Sequence, residues 1–114
     1  MVTVGLFRRR GKRATGVTRE VSKASNTYLE SWAEQRRGVE AYVEPKTTVT
    51  DTTVLLIAHD GEWTRRRIDG PDAAFALGKR MAIPVYDVAV VGYPQRMRDY
   101  TARQRIRQRR AEGR

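Results

Sequence analysis

The side chains of this sequence that could do chemistry are chiefly guanidinium groups, gathered at two places. Arg8, Arg9, Arg10, Lys12 and Arg13 form one cluster near the start. Near the end, Arg96, Arg103, Arg107 and Arg110 make one stripe on a helical wheel, with Arg98, Arg105 and Arg109 nearly opposite. A guanidinium is planar, permanently charged and able to grip a phosphate with two parallel N–H donors. Clusters of this kind suit a phosphate backbone, because each phosphate neutralised releases counterions and affinity accrues without a shaped pocket. Only Lys12, Lys23, Lys46 and Lys79 among the 23 basic residues are lysine. GC-rich codon usage would produce the same bias, and a basic tail can serve solubility alone. A third candidate is Trp63 with Arg65 and Arg67, which share one face of a strand at alternate positions. Exposed, they would stack a base beside phosphates. Buried, Trp63 is a core residue over which the arginines extend their stems.

Other chemistry finds little to stand on. The chain has no cysteine, so thiolate nucleophiles, disulfides, cysteine-ligated zinc and iron–sulfur clusters are all excluded. His59 stands next to Asp60, but neighbours in a strand point to opposite faces and no serine nucleophile lies close by. Asp60, Asp69, Asp72 and Asp87 would have to converge to hold a magnesium ion as a nuclease does. The first three already have local reasons to be where they are, in turns and caps, and only Asp87 interrupts an apolar run. No glycine pattern of the dinucleotide-binding or phosphate-loop type occurs. The expectation is a chain with no catalytic residue, no metal and no cofactor.

Charge is distributed unevenly. Residues 1–24 carry seven basic side chains against Glu20, a net of +6, and residues 93–114 carry eight against Asp99 and Glu112, again +6. Residues 25–92 carry eight basic and ten acidic groups, a net of −2, so the total of +10 resides in two arms flanking a slightly acidic centre. Blocks of like charge repel themselves and commonly mark interaction tails. At 114 residues there is room for one domain. Its apolar runs are too short to span a bilayer, and the arginines after Phe7 stand on the wrong side of the apolar segment for an export signal. A cysteine-free chain of this size is expected in the cytoplasm.

The elements that must position these groups follow from periodicity. Residues 1–17 read as a flexible basic arm. The spacing of Val21, Ala24, Tyr28, Leu29 and Trp32 predicts a helix over 18–37 closed by Gly38. Residues 39–44 alternate, with Val39, Ala41 and Val43 on one side and Glu40, Tyr42 and Glu44 on the other, as a half-buried strand does. Residues 52–59 and 62–68 read as a hairpin joined by a two-residue Asp60-Gly61 turn, which would set Ala58 opposite Trp63, Leu56 opposite Arg65 and Val54 opposite Arg67. A short helix over 72–81 then crosses to a last strand over 85–91, apolar enough to be central. After Gly92-Tyr93-Pro94 comes a helix that is polar all round; its first turns pack through Met97 and Tyr100, while residues 103–114 project or fray as an arginine-rich helical tail. The fold class is therefore α+β: one small domain over 18–102 with a roughly four-stranded sheet, a central Asp-Gly hairpin, two or three helices and basic arms at both ends.

Three stretches carry a resemblance: Ser31-Trp32-Ala33-Glu34-Gln35-Arg36-Arg37-Gly38-Val39-Glu40-Ala41-Tyr42-Val43-Glu44-Pro45, then Ile83-Pro84-Val85-Tyr86-Asp87-Val88, then Gly92-Tyr93-Pro94-Gln95-Arg96-Met97-Arg98-Asp99-Tyr100. Over residues 31–100 the chain resembles a group of short, basic, uncharacterised actinobacterial proteins, some of which carry an automatically transferred oxidoreductase label. The resemblance implies a bacterial cytoplasmic setting and contributes no catalytic residue. The functional expectation is a non-catalytic nucleic-acid-associated protein. RNA or a ribonucleoprotein is favoured over DNA, since no readable recognition helix is present. The alternative is a small adaptor or membrane-surface protein whose arms meet an acidic protein or anionic lipid, with Val2, Val4, Leu6 and Phe7 as a short surface anchor. The Tyr28/Leu29/Trp32 stripe could equally serve as the face of a homo-oligomer.

Overall fold

The computed structural model describes residues 19–113. Helix α1 (Arg19–Glu34) turns one stripe inward: Ser25, Leu29 and Trp32 are buried and Tyr28 is half-buried. The helix ends three residues before the expected boundary. There Gln35 and Arg36 donate their N–H groups to the carbonyls of Trp32 and Ala33, and Gly38 takes a φ of 61° to redirect the chain. Four strands follow: β1 (Glu40–Glu44), β2 (Thr53–Ile57), β3 (Trp63–Arg67) and β4 (Val85–Asp87), in the spatial order β3-β2-β1-β4. β1 and β2 pair antiparallel, as do β2 and β3, whereas β4 lies parallel to β1. Helix α2 (Gly70–Met81) is the crossover from the edge strand β3 to the opposite edge strand β4. Ala74, Leu77 and Gly78 face inward along it.

The alternation of β1 sorts the two sides of the sheet. Ala41 and Val43, with Val39 just before the strand, join Val54, Leu56, Ala58, Ile68, Leu29, Trp32, Ala74 and Leu77 in the main core beneath α1 and α2. Tyr42 goes the other way, to a smaller cluster with Leu55 and Ile57, against which Trp63 and Met97 pack. β2 is buried on both faces, from Val54 through Ile57. It is an interior strand, as β1 is, and its composition fits that place.

Two expectations need correction. The hairpin turns at Asp60-Gly61 as read, but the loop holds three residues. Gly61 N–H donates to Ala58 O at 3.0 Å, Ala58 N–H to Glu62 O at 2.8 Å, and Glu62 N–H to the Asp60 carboxylate at 3.0 Å, with Gly61 at φ 95°. This is the loop of a tight turn followed by a bulge, and it shifts the pairing by one residue. Ile57 faces Trp63, Leu55 faces Arg65 and Thr53 faces Arg67. A one-residue shift exchanges the faces. The Trp63/Arg65/Arg67 face is therefore the Leu55/Ile57 face, and the main core is on the other side.

The second correction concerns residues 85–91. Only Val85–Asp87 pair, and they do so at an edge rather than in the centre. The Asp87 carboxylate accepts Ala89 N–H at 2.8 Å and caps a single turn, α3 (Val88–Val91). Val90 and Val91 are 80% and 54% exposed there. An apolar run of this length fits a strand or a buried helix equally, and the capping aspartate decides against the strand.

Candidate functional site

Helix α4 (Gln95–Ala111) crosses the smaller face of the sheet. It holds that place without an apolar seam. Met97 enters the Tyr42/Leu55/Ile57 cluster, and the rest of the attachment is polar. Arg96 donates Nε–H to Ala58 O at 3.1 Å and reaches the Glu40 carboxylate at 2.7 Å. The Trp63 indole N–H donates to Thr101 Oγ1 at 3.1 Å, and Arg103 donates to Asp60 O at 3.1 Å. Gly61 lets the hairpin tip approach closely: a Cβ there would lie 2.1 Å from Arg96 O and 2.9 Å from Tyr100 Cβ. α4 continues as one helix past residue 103 to Ala111, so the arginine-rich tail is an extension of a seated helix.

The arginines differ in what opposes them. Among the described residues five are ion-paired: Arg36 with Glu62 at 2.9 Å, Arg65 with Glu44 at 2.7 Å, Arg67 with Asp51 at 3.2 Å, Arg80 with Glu30 at 2.9 Å and Arg96 with Glu40 at 2.7 Å. Arg66 points to the opposite face, where its guanidinium lies 3.8 Å from the Tyr28 ring centre. On α4 beyond Arg96 the carboxylate partners stop, among the described residues. Arg98 finds only the neutral Gln95 side chain, at 2.6 Å. Among the described residues, the side chains of Arg105, Arg107, Arg109 and Arg110 have no hydrogen-bond or ion-pair partner. Arg103/Arg107 and Arg105/Arg109 are like charges four apart on the helix, which is unfavourable by a few tenths of a kcal/mol per pair until an anion intervenes.

A groove of about 500 Å³ runs between β3 and α4, lined by Arg65, Tyr93, Met97, Arg98, Thr101 and Arg105. Glu44 anchors its floor. That carboxylate accepts from Thr53 Oγ1 at 2.6 Å, from Arg65 at 2.7 and 3.0 Å, and from the Tyr93 hydroxyl at 2.5 Å. Burial alone would raise the Glu44 carboxyl, but the bonds from Arg65, Thr53 and Tyr93 outweigh it and hold the group below the usual glutamate range. The same bond to Glu44, aided by burial, raises the Tyr93 hydroxyl, so the ring is held in place by a neutral donor. On the far side of α4, Arg103, Ile106, Arg107 and Arg110 line a smaller depression of about 310 Å³.

The residues read from the sequence thus fall in different places. Arg8, Arg9, Arg10, Lys12 and Arg13 lie outside the described residues. Trp63 is half-buried beneath α4, its N–H taken by Thr101 and the Arg65 guanidinium 5.2 Å from its ring centre. It packs at the edge of the Leu55/Ile57 cluster with one guanidinium, that of Arg65, near its ring. Arg65 and Arg67 share its face with charges opposed by Glu44 and Asp51, and Arg96 is a fastening of α4. Arg103, Arg107 and Arg110 do lie together. Of the other groove residues, Arg98 and Arg105 belong to the second stripe of the helical wheel, and Tyr93 is marked by no sequence pattern.

His59 and Asp60 are each occupied by the turn. His59 Nδ1 lies 3.3 Å from Arg37 O, and the Asp60 carboxylate accepts Glu62 N–H. Among the described residues no group of three or more His, Cys, Asp or Glu side chains is placed to hold a metal ion, and no helix is long and apolar enough to cross a membrane. Compared with protein-family models, curated protein sequences and solved structures, the chain matches none of them.

Proposed function

We propose that this protein is a non-catalytic nucleic-acid-associated protein that grips the phosphate backbone, RNA or a ribonucleoprotein ahead of duplex DNA, in a bacterial cytoplasm. One observation carries the reading: Arg36, Arg65, Arg67 and Arg80, and Arg96 at the base of α4, are opposed by carboxylates, whereas among the described residues the arginines farther along α4 are not. The guanidiniums of Arg105, Arg107, Arg109 and Arg110 are instead presented on a helix whose base is fastened by Arg96, Met97, Thr101 and Arg103. A rigid stem loses less conformational freedom on binding than a coil tail would, and a polyanion removes the self-repulsion of the stripe. Backbone binding of this kind positions a protein on nucleic acid without reading sequence. The N-terminal arginine cluster, by its composition, adds to the same electrostatic attraction.

The test is binding of the full chain to single-stranded RNA and duplex DNA across a salt series, with anionic vesicles as the comparison. The expected result is nucleic-acid affinity that falls steeply with salt, RNA binding at least as tightly as duplex. Vesicle binding in the absence of nucleic-acid binding would transfer the arginines to a lipid surface and overturn the proposal.

A further inference from the structure

The groove beside β3 differs from the arginine stripe in one respect: its floor presents an immobilised aromatic ring. Tyr93 is 40% exposed, lines the groove, and has its hydroxyl fixed on Glu44 at 2.5 Å. Glu44 is in turn held by Arg65 and Thr53. The ring's orientation is therefore set before any ligand arrives. Met97 supplies an apolar wall, Thr101 a hydroxyl, and Arg98 and Arg105 two cations along one rim, neither opposed by a carboxylate among the described residues. An apolar slot with a fixed ring and a cationic rim matches one unpaired base stacked on the ring with its flanking phosphates on the arginines. A duplex, whose bases are stacked on each other, has no free ring face to offer.

From this geometry we infer that the Tyr93 groove is a stacking site for one unpaired base of single-stranded nucleic acid. The inference rests on the backbone-binding reading above and adds to it a preference for single strands. It also assigns the base-contacting role to Tyr93 and leaves Trp63, with its N–H spent on Thr101, as structural support.

A pair of probes separates the two ideas. One is a single-stranded twelve-nucleotide oligomer, in RNA and DNA versions; the other is an abasic phosphodiester oligomer of the same length and charge. Full-length protein should bind the base-bearing oligomer more tightly than the abasic one by about 5- to 150-fold, the range for stacking one base on an aromatic side chain. Tyr93→Ala should abolish that ratio while leaving abasic binding and its salt dependence unchanged. Tyr93→Phe, which keeps the ring, should retain most of it. Arg98→Gln with Arg105→Gln should weaken both probes alike. If the alanine variant does not fold, Tyr93→Leu takes its place, apolar but without a π-face. A folded Tyr93→Ala or Tyr93→Leu protein that keeps the full ratio overturns the stacking site while backbone binding survives. Equal wild-type affinity for both probes does the same. No binding to either overturns both ideas. A ratio seen only with RNA places a sugar hydroxyl in the site beside the base; equal ratios make the base alone the ligand.

Discussion

Gly61→Ala puts a methyl group between the hairpin tip and the first turn of α4. The new Cβ would lie 2.1 Å from Arg96 O, 2.8 Å from the Arg96 carbonyl carbon and 2.9 Å from Tyr100 Cβ. Two of these three atoms are backbone, which cannot rotate away, so α4 must lift by more than an ångström. Lifting breaks the Trp63–Thr101 and Arg103–Asp60 hydrogen bonds, each contributing about 1 kcal/mol. Holding alanine at a φ of 95° adds about 1–2 kcal/mol of backbone strain. The expected loss is therefore about 3–4 kcal/mol. Gly70→Ala is the matched control, since Gly70 has a φ of 87° and nothing within 4 Å of the added Cβ, so it incurs the strain alone. Urea unfolding gives both values, and Trp63 emission in a Trp32→Phe background reports whether the indole has lost its cover. If Gly61→Ala falls within about 0.5 kcal/mol of Gly70→Ala and Trp63 emission is unchanged, the seating of α4 on the hairpin is refuted.

Further outcomes follow from the same structure. Ala82, in the left-handed region at φ 57° after α2, should gain about 0.5–1 kcal/mol on replacement by glycine, measured as a rise in Tm. Leu56→Ala in the doubly covered central strand should cost about 2–5 kcal/mol in urea unfolding, and Phe75→Ala on the exposed side of α2 much less. Glu44 has a folded pKa below its unfolded value of 4.5, so the unfolded chain binds more protons in the interval between them. Its contribution to stability is present above 4.5 and is lost as pH falls through the folded value. Glu44→Gln should flatten that part of the stability–pH curve; an unaltered acid limb would show that the Arg65/Thr53/Tyr93 bonds are not formed in solution.

The elements that were legible in the sequence are those with one periodic apolar face, although Tyr42 on the other face of β1 is buried as well. β1 shows its alternation plainly, and Val39, Ala41 and Val43 lie where it places them. The α2 crossover is legible for the same reason, and the α1 stripe in part: Leu29 and Trp32 are buried, but Ala24 is exposed and Ser25 is buried beside it. The hairpin was legible in position but not in register, because Asp60-Gly61 fits a two-residue turn or the end of a three-residue loop, and only the backbone bonds at Ala58 and Glu62 distinguish them. Residues 85–91 misled because hydrophobicity signals burial, whereas Val90 and Val91 are exposed and Asp87 serves as a cap. α4 was hard to read for the opposite reason. A wheel shows apolar seams, and this helix is held by an arginine, a threonine and an indole N–H. The groove could not be found from sequence, since Tyr93 becomes a fixed ring only when Glu44, forty-nine residues earlier, reaches its hydroxyl.

The salt dependence of RNA binding is the measurement to make first. The slope of log K against log salt concentration should be compared between the full chain and a variant with Arg105, Arg107, Arg109 and Arg110 changed to glutamine. If these four guanidiniums sit on phosphates of a single strand, the slope should become shallower by about 3, at roughly 0.7 per contact, while the Tm stays within a few degrees. A variant that binds with the parent's slope would contradict the assignment of the interface to α4.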